Sequence, residues 1–270
     1  MNRIDALYQQ VQRSHGFALN VYLCAGNPSL EATLPLILEL ERRGVDAIEL
    51  GMPFSDPVAD GPDLQPAHAR GVAAGIRLGD VLDIVHALRR ESRIPVALMS
   101  YYNPIHYRGP ARLVEQAAEA GVDGLIVPDL PPEEAEELIA AGRRHDVKTV
   151  FFVAPTSTPE RVALVNRAAT GFIYCISVTG VTGARANLPP ELADALRGLR
   201  AVTDKPLVVG FGVSTPAQVA AMAEVADGCI VGSAVARVIE ARLHAPLPEL
   251  LRAVGDYVEP LTQAAHRPRT

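Results

Sequence analysis

Eight short apolar runs, each followed by a longer stretch of helical period, constrain this chain more than any other feature. The runs are 17–24, 46–50, 95–99, 123–127, 148–153, 172–176, 206–210 and 228–232, rich in Val, Ile, Leu and Phe. Apolar runs of about five residues without alternation read as strands dry on both faces. The stretches 30–43, 78–91, 110–120, 132–144, 158–168, 190–203, 215–225 and 233–242 carry apolar residues at helical spacing. Thr158-Pro159-Glu160 and Ser214-Thr215-Pro216 place a hydroxyl cap and a proline at helix starts, and Arg43-Gly44 suits a helix end. Such alternation demands parallel strands, because every crossover returns the chain to the same end. Eight units close a single (β/α)8 TIM barrel, and 270 residues at 49% hydrophobic suffice for a fold that runs to about 250 residues. An open doubly wound sheet uses the same alternation. The glycines gathered after the last two strands favour closure.

Segments 2–13 and 247–261 are expected to add an N-terminal and a C-terminal helix, with a frayed tail at 266–270. No shift in composition divides the chain, so one domain over 1–270 is expected. The net charge of −6 argues against nucleic-acid binding, which needs a basic face. Cys24, Cys175 and Cys229 lie in or beside apolar runs without metal or disulfide spacing, as reduced thiols of a cytoplasmic protein do. The opening MNRIDALYQQVQRS lacks the apolar core of a signal peptide, and no run of 18 apolar residues suggests a membrane span.

In a barrel the reactive groups sit at the C-terminal strand ends and in the loops that follow. The second run ends Ala47-Ile48-Glu49-Leu50-Gly51, and period-two alternation sets Glu49 opposite Ile48 and Leu50. A carboxyl on a strand dry on both faces needs a partner or a chemical task. The next loop, 52–62, holds three prolines and adds Asp56 and Asp60. Glu49 and Asp60 could face one cavity as a proton-transfer pair. The alternative is a Glu hydrogen-bonded to a neighbouring strand and an Asp capping a helix. Spacing alone leaves both readings open.

Glycine gathers after three adjoining strands, in Ser177–Arg185, Gly210–Ser214 and Gly232–Ala234. Glycine lets backbone N–H groups approach an anion, and Ser233 opens a helix whose N-terminal dipole favours one. With only two lysines, Lys148 and Lys205, among 25 basic residues, a phosphate would be held by amides. Ordinary strand-to-helix turns favour the same residues; three such loops side by side favour a phosphate site. Tyr22, Met99, Tyr101, Ile126, Tyr174 and Phe211 fall at or just past strand ends and suggest a flat apolar guest, although most such residues are plain core. Asp129 is a supporting carboxylate or the turn into the next helix. The histidines (15, 68, 86, 106, 145, 244 and 266) show no ligand spacing; solvated surface positions explain them, and no metal is expected.

IELGMPFSDPVADGP (48–62), VDGLIVPDLPPEEAEEL, SVTGVTGAR, VVGFGVST and VGSAV, in this order, resemble the alpha subunit of tryptophan synthase over about 15 to 260. The resemblance implies an aldolase-type lyase that splits indole-3-glycerol phosphate into indole and glyceraldehyde 3-phosphate. It implies Asp60 beside the indole N–H and Glu49 as the proton shuttle. Tyr174 and Thr182 would close over or line the site. Gly183, Gly212, Gly232 and Ser233 would cradle the phosphate, while Tyr22, Met99, Ile126 and Phe211 envelop the indole. Residues 178–189 would form a lid. No cofactor is implied for this chain: pyridoxal phosphate would belong to a beta partner facing the 53–62 loop, in a heterotetramer of two alpha and two beta subunits. The sequence departs from the family's usual pattern at Asn27, where Asp is usual, at Ser100 and at Tyr22.

Overall fold

Strands free of side-chain alternation are stable only when both faces are covered, and the chain arranges this by closing its sheet and wrapping it in helices. The computed structural model describes residues 1–176, 190–210 and 212–267. In chain order the elements are α1 (Arg3–Ser14), β1 (Ala18–Cys24), α2 (Leu30–Arg42), β2 (Ala47–Gly51), α3 (Gln65–Ala73), α4 (Leu78–Leu88), β3 (Val96–Met99), α5 (Tyr102–Arg108), α6 (Pro110–Ala120) and β4 (Gly124–Ile126). A 3₁₀ turn (Pro132–Glu134) precedes α7 (Glu136–His145), β5 (Lys148–Val153), α8 (Pro159–Ala168), β6 (Ile173–Ile176), α9 (Pro190–Arg200) and β7 (Leu207–Gly210). The chain then forms α10 (Pro216–Ala223), β8 (Gly228–Val231), α11 (Ser233–Glu240) and α12 (Leu247–Ala265). The strands pair in sequence order, all parallel, and β8 closes onto β1 as a (β/α)8 barrel.

The two strand faces do different work. Leu19, Val21 and Leu23 of β1 and Ile48 and Leu50 of β2 point outward into the core shared with the helices. The inward face is a smaller cluster that includes Tyr22, Ala97, Ile126, Val150, Val208 and Ile230. Register sets Tyr22 beside Glu49 and Glu49 beside Ala97 across three adjacent strands. Each aliphatic side chain buried without exposure, such as Ile37 or Val254, contributes roughly 1.5–3 kcal/mol.

The N-terminal helix plugs one end of the barrel. Ile4, Tyr8 and Val11 of α1 join the inner cluster, and Asn20 Nδ2 donates to the Tyr8 hydroxyl. Asn2 caps α1 and donates to the carbonyls of Asp123 and Asp146. At the other terminus α12 packs on α2, α10 and α11, and Thr262 Oγ1 donates to the Arg43 carbonyl. His266 Nε2 lies 2.9 Å from Asp46 Oδ2, so the chain is tied down at the first residue of the stretch expected to fray.

Two helices, α3 and α5, had no counterpart in the sequence pattern, because neither carries an apolar stripe. α3 (QPAHARGVA) is built of small residues, and α5 (YNPIHYR) has only Ile105 buried. The helix expected at 132–144 begins instead with the 3₁₀ turn and reaches full form at Glu136. The three cysteines are buried free thiols, as expected. Among the described residues no helix is long and apolar enough to cross a membrane, and no group of His, Cys, Asp or Glu is arranged to hold a metal ion.

Candidate active site

β2 delivers Glu49 to the barrel interior by alternation, where the side chain is fully buried. Neither carboxyl oxygen has a hydrogen-bond partner among the described residues. Burial pushes the Glu49 carboxyl up to about 8, against a weaker downward pull from Asn20. At neutral pH Glu49 is therefore a carboxylic acid with a proton to give.

Asp60 comes from the proline-stiffened loop after β2 and is surrounded by partners. Its backbone N–H donates to the Pro57 carbonyl at 3.0 Å, and its carbonyl accepts from Gln65 Nε2 at 2.9 Å. The Tyr101 hydroxyl accepts the Ala59 N–H at 3.0 Å and donates to Asp60 Oδ2 at 2.6 Å. Burial, together with that bond to the carboxylate, raises the Tyr101 hydroxyl's affinity for its proton, so the tyrosine remains the donor. Phe54 stacks on the Tyr101 ring at 5.0 Å and holds its orientation.

His68 is the residue the sequence pattern misplaced. It was expected on the solvated surface; it is 2% exposed, with Nε2 3.3 Å from Asp60 Oδ2 and 3.0 Å from the Tyr22 hydroxyl. Its Nδ1 accepts the Phe54 N–H at 3.2 Å. The pattern could not show this because α3 offers no apolar period to mark its inner face. The one usable signal is that His68 follows Asp60 closely, in the segment leaving a strand's C-terminal end.

The remaining candidates divide into groups. Tyr22 and Ile126 are buried in the inner cluster, and Met99 is partly buried against it. A Cβ on Gly51 would lie 2.2 Å from the Tyr22 hydroxyl, so glycine there is what lets the ring cross the end of β2. Gly210 does the same for Tyr174, whose ring packs 4.8 Å from Phe152. Burial raises the Tyr174 hydroxyl, and the Glu49 and Asp60 charges both add to the shift. Tyr22 feels Asp60 and Glu49 likewise. Both carboxyls thus act on the same two tyrosines.

Asp129 is exposed, and its Oδ1 accepts the Tyr102 N–H at 2.8 Å at the start of α5. Gly232 and Ser233 form the cap and first residue of α11, whose leading N–H groups have no acceptor within the helix. Gly212 takes a positive φ of 52° after β7, a conformation that suits glycine. Thr182, Gly183 and Phe211, and the expected lid at 178–189, lie outside the described residues. At Asn27 the Arg70 guanidinium donates to Oδ1 at 3.0 Å and also pairs with Glu240 of α11.

Glu49 and Asp60 lie on a strand and in the loop after it in a closed parallel barrel, the region where barrel enzymes carry their reactive groups. A sequence profile described as "Tryptophan synthase alpha chain" matches residues 8–264. A tryptophan synthase alpha chain of Geobacter sp. is 45% identical over 263 residues, covering 97% of each chain. The crystal structure of the alpha subunit from Legionella pneumophila superposes with a TM-score of 0.90 at 38% identity, covering 98% of both chains. The tryptophan synthase complex of Pyrococcus furiosus contributes a chain with a TM-score of 0.84 at 36% identity, covering 92% of this chain and 98% of that one. This chain belongs to the tryptophan synthase alpha chain family. The family's reaction is a carbon–carbon lyase step of tryptophan biosynthesis, the cleavage of indole-3-glycerol phosphate into indole and glyceraldehyde 3-phosphate.

Proposed function

We propose that Glu49 and Asp60 carry this cleavage, Glu49 as the acid and then the base, Asp60 as the fixed charge beside the indole nitrogen. The observation that carries the reading is the opposition of their surroundings: among the described residues the Glu49 oxygens have no hydrogen-bond partner and the group keeps its proton to about pH 8, while Asp60 accepts a hydrogen bond from Tyr101. Carbon 3 of the indole leaves poorly until it is protonated. Protonated Glu49 donates to that carbon, and the positive charge that develops on the ring nitrogen is stabilised by Asp60. The Glu49 carboxylate then takes the proton of the adjacent glycerol hydroxyl. As that O–H bond breaks a carbonyl forms, the carbon–carbon bond cleaves, and its electron pair restores the indole. Glu49 ends as it began, and the cycle calls for no cofactor.

Tyr22, Met99, Ile126, Tyr174 and Phe211 are assigned to the indole, Gly183, Gly212, Gly232 and Ser233 to the phosphate, and Thr182 to the lid. Tyr101 supports Asp60, and Asp129 supports Tyr101 by fixing the start of α5. The chain acts in the cytoplasm as a single-domain barrel, paired with a pyridoxal-phosphate-bearing beta subunit as two alpha and two beta chains. The test is steady-state release of indole by the chain, alone and with a beta subunit, for the parent and for Glu49→Gln and Asp60→Asn. Large losses in both variants support the assignment; parental rates in either one contradict it.

A further inference from the structure

We infer that His68 is a positioning residue for Asp60, its Nε2 edge packed against Oδ2 so that Oδ1 is the oxygen presented to substrate. The inference rests on the reading of Asp60 given above. Its geometry begins at Phe54, whose backbone N–H points at Nδ1 of His68 at 3.2 Å. That contact requires a lone pair on Nδ1, which assigns the ring proton to Nε2. Nε2 in turn lies 3.3 Å from Asp60 Oδ2 and 3.0 Å from the Tyr22 hydroxyl.

The ring has little freedom to leave this position. It is 2% exposed and meets the face of Tyr101 edge-on at 6.4 Å, and Tyr22 is itself held over Gly51. His68 Nε2 and the Tyr101 hydroxyl both face the same carboxylate oxygen. Among the described residues neither contact uses Oδ1. A carboxylate with one oxygen bonded by Tyr101 and packed against the His68 ring loses rotational freedom about its last bond, and its other oxygen is held for the reacting group. Tyr22 stands where the family resemblance leads one to expect phenylalanine. Its hydroxyl supplies the far end of a chain running Tyr22, His68, Asp60, Tyr101.

The test uses the full chain with indole-3-glycerol phosphate as the probe and reads kcat and KM separately. His68→Phe is expected to lower kcat about tenfold with KM changed less than about threefold, because an orienting contact is lost and the binding surface is kept. His68→Gln, which restores an N–H donor, is expected to recover most of the loss. In an Asp60→Asn background His68→Phe is expected to cost less than about twofold, since the group it orients is gone. A folded His68→Phe chain with a kcat within about twofold of the parent overturns the inference. The same proportional loss in the Asp60→Asn background overturns it equally. Should His68→Phe fail to fold, His68→Asn, whose shorter side chain stops short of Oδ2, is judged by the same two criteria. An Asp60→Asn chain that keeps the parental rate overturns the reading of Asp60 first, and the positioning role with it.

Discussion

The surroundings of Glu49 and Asp60 differ in almost every respect. Glu49 sits on a strand, inside a barrel lined by aliphatic and aromatic side chains, with both oxygens unpartnered among the described residues. Asp60 sits on a loop, held by hydrogen bonds at its backbone N–H, its carbonyl and its side chain. The strand gives precision without polarity, so the carboxyl on it stays protonated. The loop brings hydrogen-bond partners, so the carboxyl group on it is fixed in place. Two residues of nearly the same chemistry are given opposite surroundings by placement alone.

The comparison breaks most readily at Glu49. Glu49→Gln removes the only proton donor assigned to carbon 3 and is expected to lower kcat on the order of 10³–10⁴-fold, read as indole release at neutral pH. Asp60→Asn leaves a dipole where a charge stood and is expected to cost about 10²–10³-fold in the same assay. Equal losses would blur the distinction between acid and anion.

Stability against pH sharpens it. Glu49 stays neutral in the folded chain up to about pH 8 but ionises near 4.5 once unfolded. Over that interval the unfolded state binds fewer protons, so stability falls as pH rises, and the loss is complete above about 8. At about 1.4 kcal/mol per unit, the parent is expected to lose up to roughly 4 kcal/mol relative to Glu49→Gln between pH 5 and 8. Denaturant unfolding of the two chains at both pH values checks it, and parallel stabilities would contradict it.

The smaller effects probe how each carboxyl is held. Gly51→Ala drives a methyl into the Tyr22 hydroxyl and is expected to destabilise the fold by about 1–3 kcal/mol, read by thermal unfolding. Tyr101→Phe deletes one donor to Asp60 and is expected to lower kcat about tenfold with little change in stability.

The same contrast explains what was legible beforehand. Glu49 was visible because an acidic residue interrupts an apolar strand, and the strand's period fixes the face it occupies. All eight strands were legible for the same reason, each within a residue or two of its observed bounds. Asp60 was legible as a candidate through its stiff loop and the family resemblance, but its partners were not. Tyr101 read as a possible wall for a flat guest, whereas its hydroxyl bonds Asp60. His68 read as surface because α3 is short, made of small residues, and buried by the loop it folds against. Contacts between a loop and the helix after it depend on how the chain turns back, and no periodic signal in the sequence records that.

The central claim is that Glu49 rests as a neutral acid inside the barrel. A carbon-13 NMR titration of glutamate-labelled chain, with Glu49→Gln to assign the signal, reads it directly. The account predicts a side-chain carboxyl that titrates with a midpoint at about 8. A Glu49 signal that titrates in the ordinary carboxylate range, near about 4.3, would contradict it.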